Sequence, residues 1–276
     1  SSSPAPPAPA VVAPAAPAAP AGMQWLYGSG EGAASSLQAY RAFRDYVLAE
    51  IRARPADGVV LAPGAGLAQP EFVPCGAKPF AVVLDVDETA LQNLGYEYDS
   101  AVHDRGFDAP SWELWEQSGA NKVLPMPGAA ASLTALREAG VTIIFISNRV
   151  ARYAAFSEQA LNGAGLGPVR HGETLFLQGD DEGGSAKDGR RAQVAEHFCV
   201  VAMAGDQLGD FSDAFNARGI AVADRRRAAA SAPFADKWGH GWFMLSNPVY
   251  GPSLRGSLDD IFPAERRWPD SQEGSH

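Results

Sequence analysis

The chain has 276 residues, a net charge of −10, 46% apolar residues and 20% charged residues. That acidic balance argues against a polymeric nucleic-acid ligand, which needs a basic footprint. No apolar run approaches the roughly 20 residues of a membrane span. The length allows one large domain or two small ones with a real core, and a local cationic pocket for a small anion is compatible with the global sign.

Residues 1–22 are almost entirely Pro, Ala and Ser. Such a segment cannot form a packed core and is expected to be an extended tether. The chain opens on Ser1 rather than Met, as expected of a processed N-terminus. From Ser36 the apolar residues Leu37, Tyr40, Phe43, Val47 and Ile51 recur at helical spacing, and Pro55 stops the helix. A strand is expected at 80–84 (FAVVL), a helix at 128–140 ending on Gly140, and a fully apolar strand at 141–146 (VTIIFI). Further strands are expected at 174–177 and 199–204, with a helix at 186–198 between them, and at 242–245. Runs apolar on both faces, separated by helices, predict an α/β fold with a parallel sheet between helices. The two cysteines, Cys75 and Cys199, match no zinc pattern. Free thiols and a single disulfide are both open.

In such folds chemistry gathers beyond the carboxyl ends of the strands. The first apolar run is followed by Asp85, Val86, Asp87, Glu88 and Thr89, the second by Ser147, Asn148 and Arg149, and the fourth by Gly205, Asp206, Gln207, Leu208, Gly209 and Asp210. Lys187 stands near the start of the helix leading to that fourth strand. Crowded carboxylates repel unless a cation lies among them. An all-oxygen set from Asp85, Asp87 and Asp206 suits Mg²⁺, which leaves positions for water and a substrate phosphate. Ser147 and Lys187 supply what equatorial phosphoryl oxygens need, and one carboxylate is then available to attack phosphorus.

The segments LDVDETALQN, FISNR, Lys187 and GDQLGDF, in that order, resemble the four motifs of the haloacid-dehalogenase-like (HAD) phosphatases. With LQAY at 37–40, WELW at 112–115 and NPVYG at 247–251, the chain is more narrowly similar to the class C nonspecific acid phosphatases, a group that includes lipoprotein 5′-nucleotidases. The resemblance covers roughly residues 24–258. It implies a Mg²⁺-dependent phosphomonoesterase, with nucleoside 5′-monophosphates among its substrates, working through an aspartyl-phosphate. Asp85 is then the nucleophile and a metal ligand, and Asp206 a further ligand. Asp87 is general acid and then base, its backbone carbonyl touching the metal. Asp210 supports the metal from behind. Ser147, Asn148 and Lys187 hold the phosphoryl group, and Trp112 and Tyr250 form an aromatic pair for a flat leaving group. The expected layout is a tether at 1–22, a phosphatase domain at 23–262 with a helical cap from about 30–56 and 94–123, and a tail at 263–276. The resemblance also implies export to the periplasm, the outer membrane or the medium, with a tether to an N-terminal anchor, and dimers in some members. If Asp87 must carry a proton in the first step, activity favours mildly acidic pH.

Asp85 and Asp87 could be turn formers, and Glu88-Thr89 could simply begin a helix. Aromatic residues such as Trp112, Trp115 and Tyr250 are mostly core, and Glu88 reads as structural. GSGEGA at 28–33 has no strand before it and is discounted as a phosphate loop. Arg170-His171-Gly172 looks like a histidine-phosphatase signature but precedes a strand rather than following one. A non-catalytic storage-like relative would have lost the attacking Asp, which is present here. A phosphate-receiver domain would be about half as long.

Overall fold

The computed structural model describes residues 16–268. Part of the expected N-terminal tether (residues 1–15) and part of the C-terminal tail (269–276) lie outside the described residues. A short helix α1 (Ala21–Met23) continues into a π-helical turn, Gln24–Gly28, and then into the long helix α2 (Gly30–Ala53). A small antiparallel pair follows, β1 (Asp57–Leu61) with β2 (Phe72–Pro74). The central strand β3 (Phe80–Leu84) leads to β4 (Leu91–Gln92), helices α3 (Leu94–Val102) and α4 (Ala109–Ser118), and β5 (Leu124–Pro125), which pairs back on β4. Then come α5 (Ala129–Glu138), β6 (Thr142–Val150), α6 (Ala154–Gly163), β7 (Leu175–Gln178), α7 (Asp188–His197), β8 (Cys199–Gly205) and β9 (Trp242–Met244).

The five-stranded sheet is parallel throughout, in the order β7-β6-β3-β8-β9. Its strands lie at or within a few residues of the runs read from the sequence. Alternation explains why those runs are apolar on both faces. Val82 and Leu84 pack with Tyr40, Phe43 and Leu133 on one side, while Ala81 and Val83 pack with Met203, Phe215 and Trp242 on the other. The chain leaves β3 to build β6 and β7 on one flank, then crosses to build β8 and β9 on the other. The crevice at such a reversal of strand order is where ligands bind in open α/β sheets.

Helix α2 corrects one expectation. Residues 30–56 do not join the cap. Tyr40, Phe43 and Val47 are buried in the core, and α2 packs on α5, β8 and β9. The stripe that made the helix legible needs the sheet to cover it, and a cap would have left it wet. The 94–123 insertion is built of α3 and α4, with β4 and β5 paired at its base. The glycine-rich 28–33 segment is the start of α2: Ser29 caps it, its Oγ accepting from the Gly32 N–H at 2.9 Å. A Cβ on Gly32 would stand 2.3 Å from the Trp25 carbonyl oxygen, so a side chain there would push the preceding turn off the helix. Cys75 and Cys199, left open by the sequence, form a disulfide joining the end of β2 to the start of β8. Among the described residues no helix is long and apolar enough to cross a membrane.

Candidate active site

The C-terminal ends of β3 and β8 stop side by side. Leu84 is in register with Ala204, and the Asp85 N–H donates to the Ala204 carbonyl at 3.1 Å. Asp85 and Asp206 therefore emerge together. Asp210 folds back onto them from a short 3₁₀ turn, Leu208–Asp210, and its Oδ2 accepts the N–H groups of Asp206 at 3.1 Å and Gln207 at 3.0 Å. Gly205 makes this possible. A Cβ at that position would sit 2.3 Å from the Asp210 Cβ. Carboxylate oxygens of Asp85, Asp206 and Asp210 all lie within 4.8 Å of one another.

Lys187 enters from the start of α7. Its Nζ donates to Asp85 Oδ1 at 2.6 Å and to Asp210 Oδ1 at 2.7 Å, and the side chain is 8% exposed. Burial works against its charge, but Asp210 and Asp85 outweigh that and lift the ammonium above its ordinary value. The carboxylates respond the other way. Burial, reinforced by Asp210 and opposed by Lys187, holds the Asp85 carboxyl well above its usual range. Burial, again reinforced by Asp210, lifts Asp206 to about 7. Asp206 is oriented by Thr89 Oγ1 donating to its Oδ1 at 3.0 Å and by Asn247 Nδ2 donating to its Oδ2 at 2.7 Å.

Asp87 stands apart from this cluster. Arg149, 2% exposed, grips its carboxylate with Nε and Nη2, each donating to Oδ1 at 3.0 and 2.8 Å, and Nε reaches Oδ2 at 3.2 Å. Asn93 Nδ2 also donates to Asp87 Oδ1 at 2.9 Å, and Asn93 Oδ1 accepts from Arg149 at 3.0 Å and from Trp115 Nε1 at 3.1 Å. The Asp87 carboxylate is not one of the three in the cluster, and the resemblance assigns its backbone carbonyl to a cation. Ser147 is fully buried beside it, with Oγ accepting the Arg149 N–H at 3.1 Å.

The other expected residues are spread more widely. The Asn148 side chain is exposed and already engaged, donating to the Ser185 carbonyl at 2.9 Å and accepting from Arg190 at 2.8 Å. Arg190, fully buried, also donates to the Ser147 carbonyl at 2.6 Å and so ties the end of β6 to the loop that carries Lys187. Trp112 sits edge-on to Tyr96 at 4.9 Å, with the Arg149 guanidinium 5.7 Å from its ring. Tyr250 is anchored by its hydroxyl, which donates to Glu88. Among the described residues Trp112 and Tyr250 do not pair with each other. His171 lies elsewhere, its Nε2 2.8 Å from Asp180, and shares no hydrogen bond with the carboxylate cluster.

Glu88 does not begin a helix. It has φ +54° in a tight turn whose N–H groups at 89–91 point at the Val86 carbonyl, and the next helix starts only at Leu94. The side chain is a buried hub: Oε1 accepts from Tyr27 at 3.0 Å and the Asn93 N–H at 2.8 Å, and Oε2 accepts from Asn93 Nδ2 and Tyr250. Sequence reading missed Arg149, Asn93 and Asn247. All three stand inside the quoted segments, Asn93 in LDVDETALQN, Arg149 in FISNR and Asn247 in NPVYG. A buried Arg demands a carboxylate partner, but nothing local says that the partner is 62 residues upstream.

Residues 42–253 match the family described as HAD superfamily, subfamily IIIB (acid phosphatase). The chain belongs to that family of phosphomonoester hydrolases. It is similar to the class C acid phosphatase from Bacillus anthracis, at 26% identity and a TM-score of 0.69, over 88% of this chain and 89% of that one. A second structure of the Bacillus anthracis enzyme, with tungstate bound, matches at 25% identity and a TM-score of 0.69, over 91% of each chain. Acid phosphatase 1 of Solanum lycopersicum is 29% identical over 136 residues, 46% of this chain. The chain spans about half the length of that curated relative.

Proposed function

We propose that the protein hydrolyses phosphomonoesters, nucleoside 5′-monophosphates among them, with Mg²⁺ as the metal and Asp85 as the attacking group. The observation that carries this reading is the buried ammonium of Lys187 bridging Asp85 and Asp210 at 2.6 and 2.7 Å beside Asp206. The all-oxygen donor set fits a hard divalent cation, and the upward shifts of Asp85 and Asp206 mark carboxylates short of positive charge. Asp85, Asp206 and Asp210, with the Asp87 carbonyl, would hold the ion. When bound, it neutralises charge on the carboxylates and the phosphoryl group.

The chain's own residues then divide the work. A phosphoryl group resting against Lys187 and Ser147 meets the free oxygen of Asp85. That oxygen attacks phosphorus as the bond to the leaving oxygen breaks. Asp87, fixed by Arg149 and Asn93, gives its proton to the departing alcohol. In the second step Asp87 takes a proton from water, the water oxygen attacks phosphorus, and the bond to Asp85 breaks to release inorganic phosphate. A relative that holds tungstate, a tetrahedral oxyanion, supports oxyanion binding in this family.

Trp112, beside Arg149, supports recognition of a flat leaving group from the cap side. The Cys75–Cys199 disulfide supports export to an oxidising compartment. The test is a phosphatase assay across phosphomonoesters with and without EDTA. Activity that survives EDTA overturns the metal-dependent reading. Trp112→Ala should raise KM for a mononucleotide more than for glycerol phosphate, and equal effects on both remove the stacking role.

A further inference from the structure

A cavity whose lining leaves out the carboxylate cluster has a different chemistry. It is about 830 Å³, within the size range of small-molecule sites, and opens between residues 19–29 and one face of α3. Its walls include Met23, Trp25, Tyr27, Leu94 and Tyr98, and Glu97 stands among them. None of Asp85, Asp206, Asp210 or Lys187 lines it.

Glu97 is 6% exposed; its N–H donates to the Asn93 carbonyl at 3.0 Å, but among the described residues its carboxyl makes no hydrogen bond or ion pair. Its carboxyl is lifted to about 7, by burial first and then by the charge of Asp87. A carboxylate largely withdrawn from water without a protein partner is costly, and a cationic ligand in the cavity would supply the missing positive charge. One carboxylate among apolar walls does not suit a metal ion, which wants many oxygens. Aromatic faces around a single carboxylate do suit an alkylated ammonium, attracted by the ring faces and paired with the charge. Glu88, bonded to Tyr27 of the cavity wall, adds further negative charge.

We propose that this cavity binds an organic cation of the quaternary or alkylated ammonium class, with Glu97 as its counter-ion and Trp25, Tyr27 and Tyr98 as its aromatic walls. Where that cation is the alcohol part of a phosphomonoester, the cavity is the leaving-group subsite of the proposed reaction; where it is a free molecule, the cavity is an independent site.

The experiment is isothermal titration calorimetry of the full chain with benzyltrimethylammonium, and with benzyl alcohol as the neutral control, at constant ionic strength. Binding of the cation to the wild type is expected in the millimolar range or tighter, weakened about tenfold in Glu97→Gln. Benzyl alcohol should bind more weakly and be indifferent to that change. Tyr98→Ala, at a residue 73% exposed and so safe for folding, should weaken the cation a few-fold. No binding to the wild type, equal binding to Glu97→Gln, or equal binding of the neutral control overturns the proposal. A companion assay separates the two sources. A KM advantage of phosphocholine over glycerol phosphate that disappears in Glu97→Gln identifies the leaving-group subsite, and a KM ratio unmoved by a substitution that does weaken benzyltrimethylammonium identifies the independent site. Because the calorimetry reads no turnover, failure of the phosphatase reading leaves the cation result standing, and the reverse.

Discussion

The two ends of the central sheet follow opposite rules. At its C-terminal end, β3 and β8 run into Asp85, Asp206 and Asp210, three carboxylates gathered around one buried ammonium. At its N-terminal end, β8 begins at a buried half-cystine, and the nearby cations lie at the surface, with Arg54 over the Phe80 ring and capping the carbonyls of Gly76 and Lys78. One end accepts a desolvation cost to concentrate charge for chemistry. The other is apolar and covalently closed, and it holds the strands in the register on which the first end depends. Stability and activity should therefore respond in opposite senses to changes at the two ends.

The largest effect is expected from Asp85→Asn. Loss of the proposed nucleophile should lower kcat/KM by about 10³-fold or more. Thermal unfolding should show a melting temperature unchanged or raised, since a buried like charge has been removed. Turnover within tenfold of the wild type would break the assignment. Next comes Arg149→Lys. A point charge cannot reproduce the two-pronged grip on Asp87, so kcat should fall about 10- to 100-fold with KM nearly unchanged. A loss appearing only in KM would instead place Arg149 in substrate binding.

These two residues also mark where the sequence was and was not legible. Asp85 could be read because it terminates a strand whose apolar run fixes its own place in the sheet, and because three more polar clusters follow strands in the same way. Each such inference is local, and parallel topology does the rest. Arg149 lies one position past an expected ligand, in a motif already quoted, yet its role depends on facing Asp87 across the β3–β6 step. Glu88 shows the same limit: a turn with positive φ whose side chain takes two donors from Asn93 and two more from the distant Tyr27 and Tyr250 has no short-range signature. Helix α2 was found by its period but placed in the wrong layer, because periodicity reveals an apolar face and not what covers it. The disulfide needed coordinates, since its halves are 124 residues apart.

The apolar end gives the next test. Replacing Cys75 and Cys199 together by Ser should lower unfolding stability by about 2–5 kcal/mol, because the bond closes a long loop in the unfolded chain. kcat measured well below the new melting temperature should be unchanged. A fall in kcat there would mean that the two ends are coupled in the folded state.

The smallest effect is the most discriminating. Burial raises Asp206, Glu88 and Glu116 to about 7, above ordinary values of 3.8 for Asp and 4.5 for Glu. Between about pH 4.5 and 7 the folded chain therefore binds more protons than the unfolded chain, and stability must fall as pH rises through that window. In EDTA the melting temperature should be a few degrees higher at pH 5 than at pH 7.5, given about 2–4 °C per kcal/mol for a chain of this size. On the proposed ligand set, Mg²⁺ and protons would compete for the Asp206 carboxylate, so added Mg²⁺ should raise the melting temperature more at pH 7.5 than at pH 5. The Cys75→Ser, Cys199→Ser variant should melt lower at both pH values yet keep the same slope, because the end it alters carries none of these groups. A slope that flattens in that variant, or a Mg²⁺ shift equal at both pH values, would show that the charge strain is not confined to the C-terminal end of the sheet.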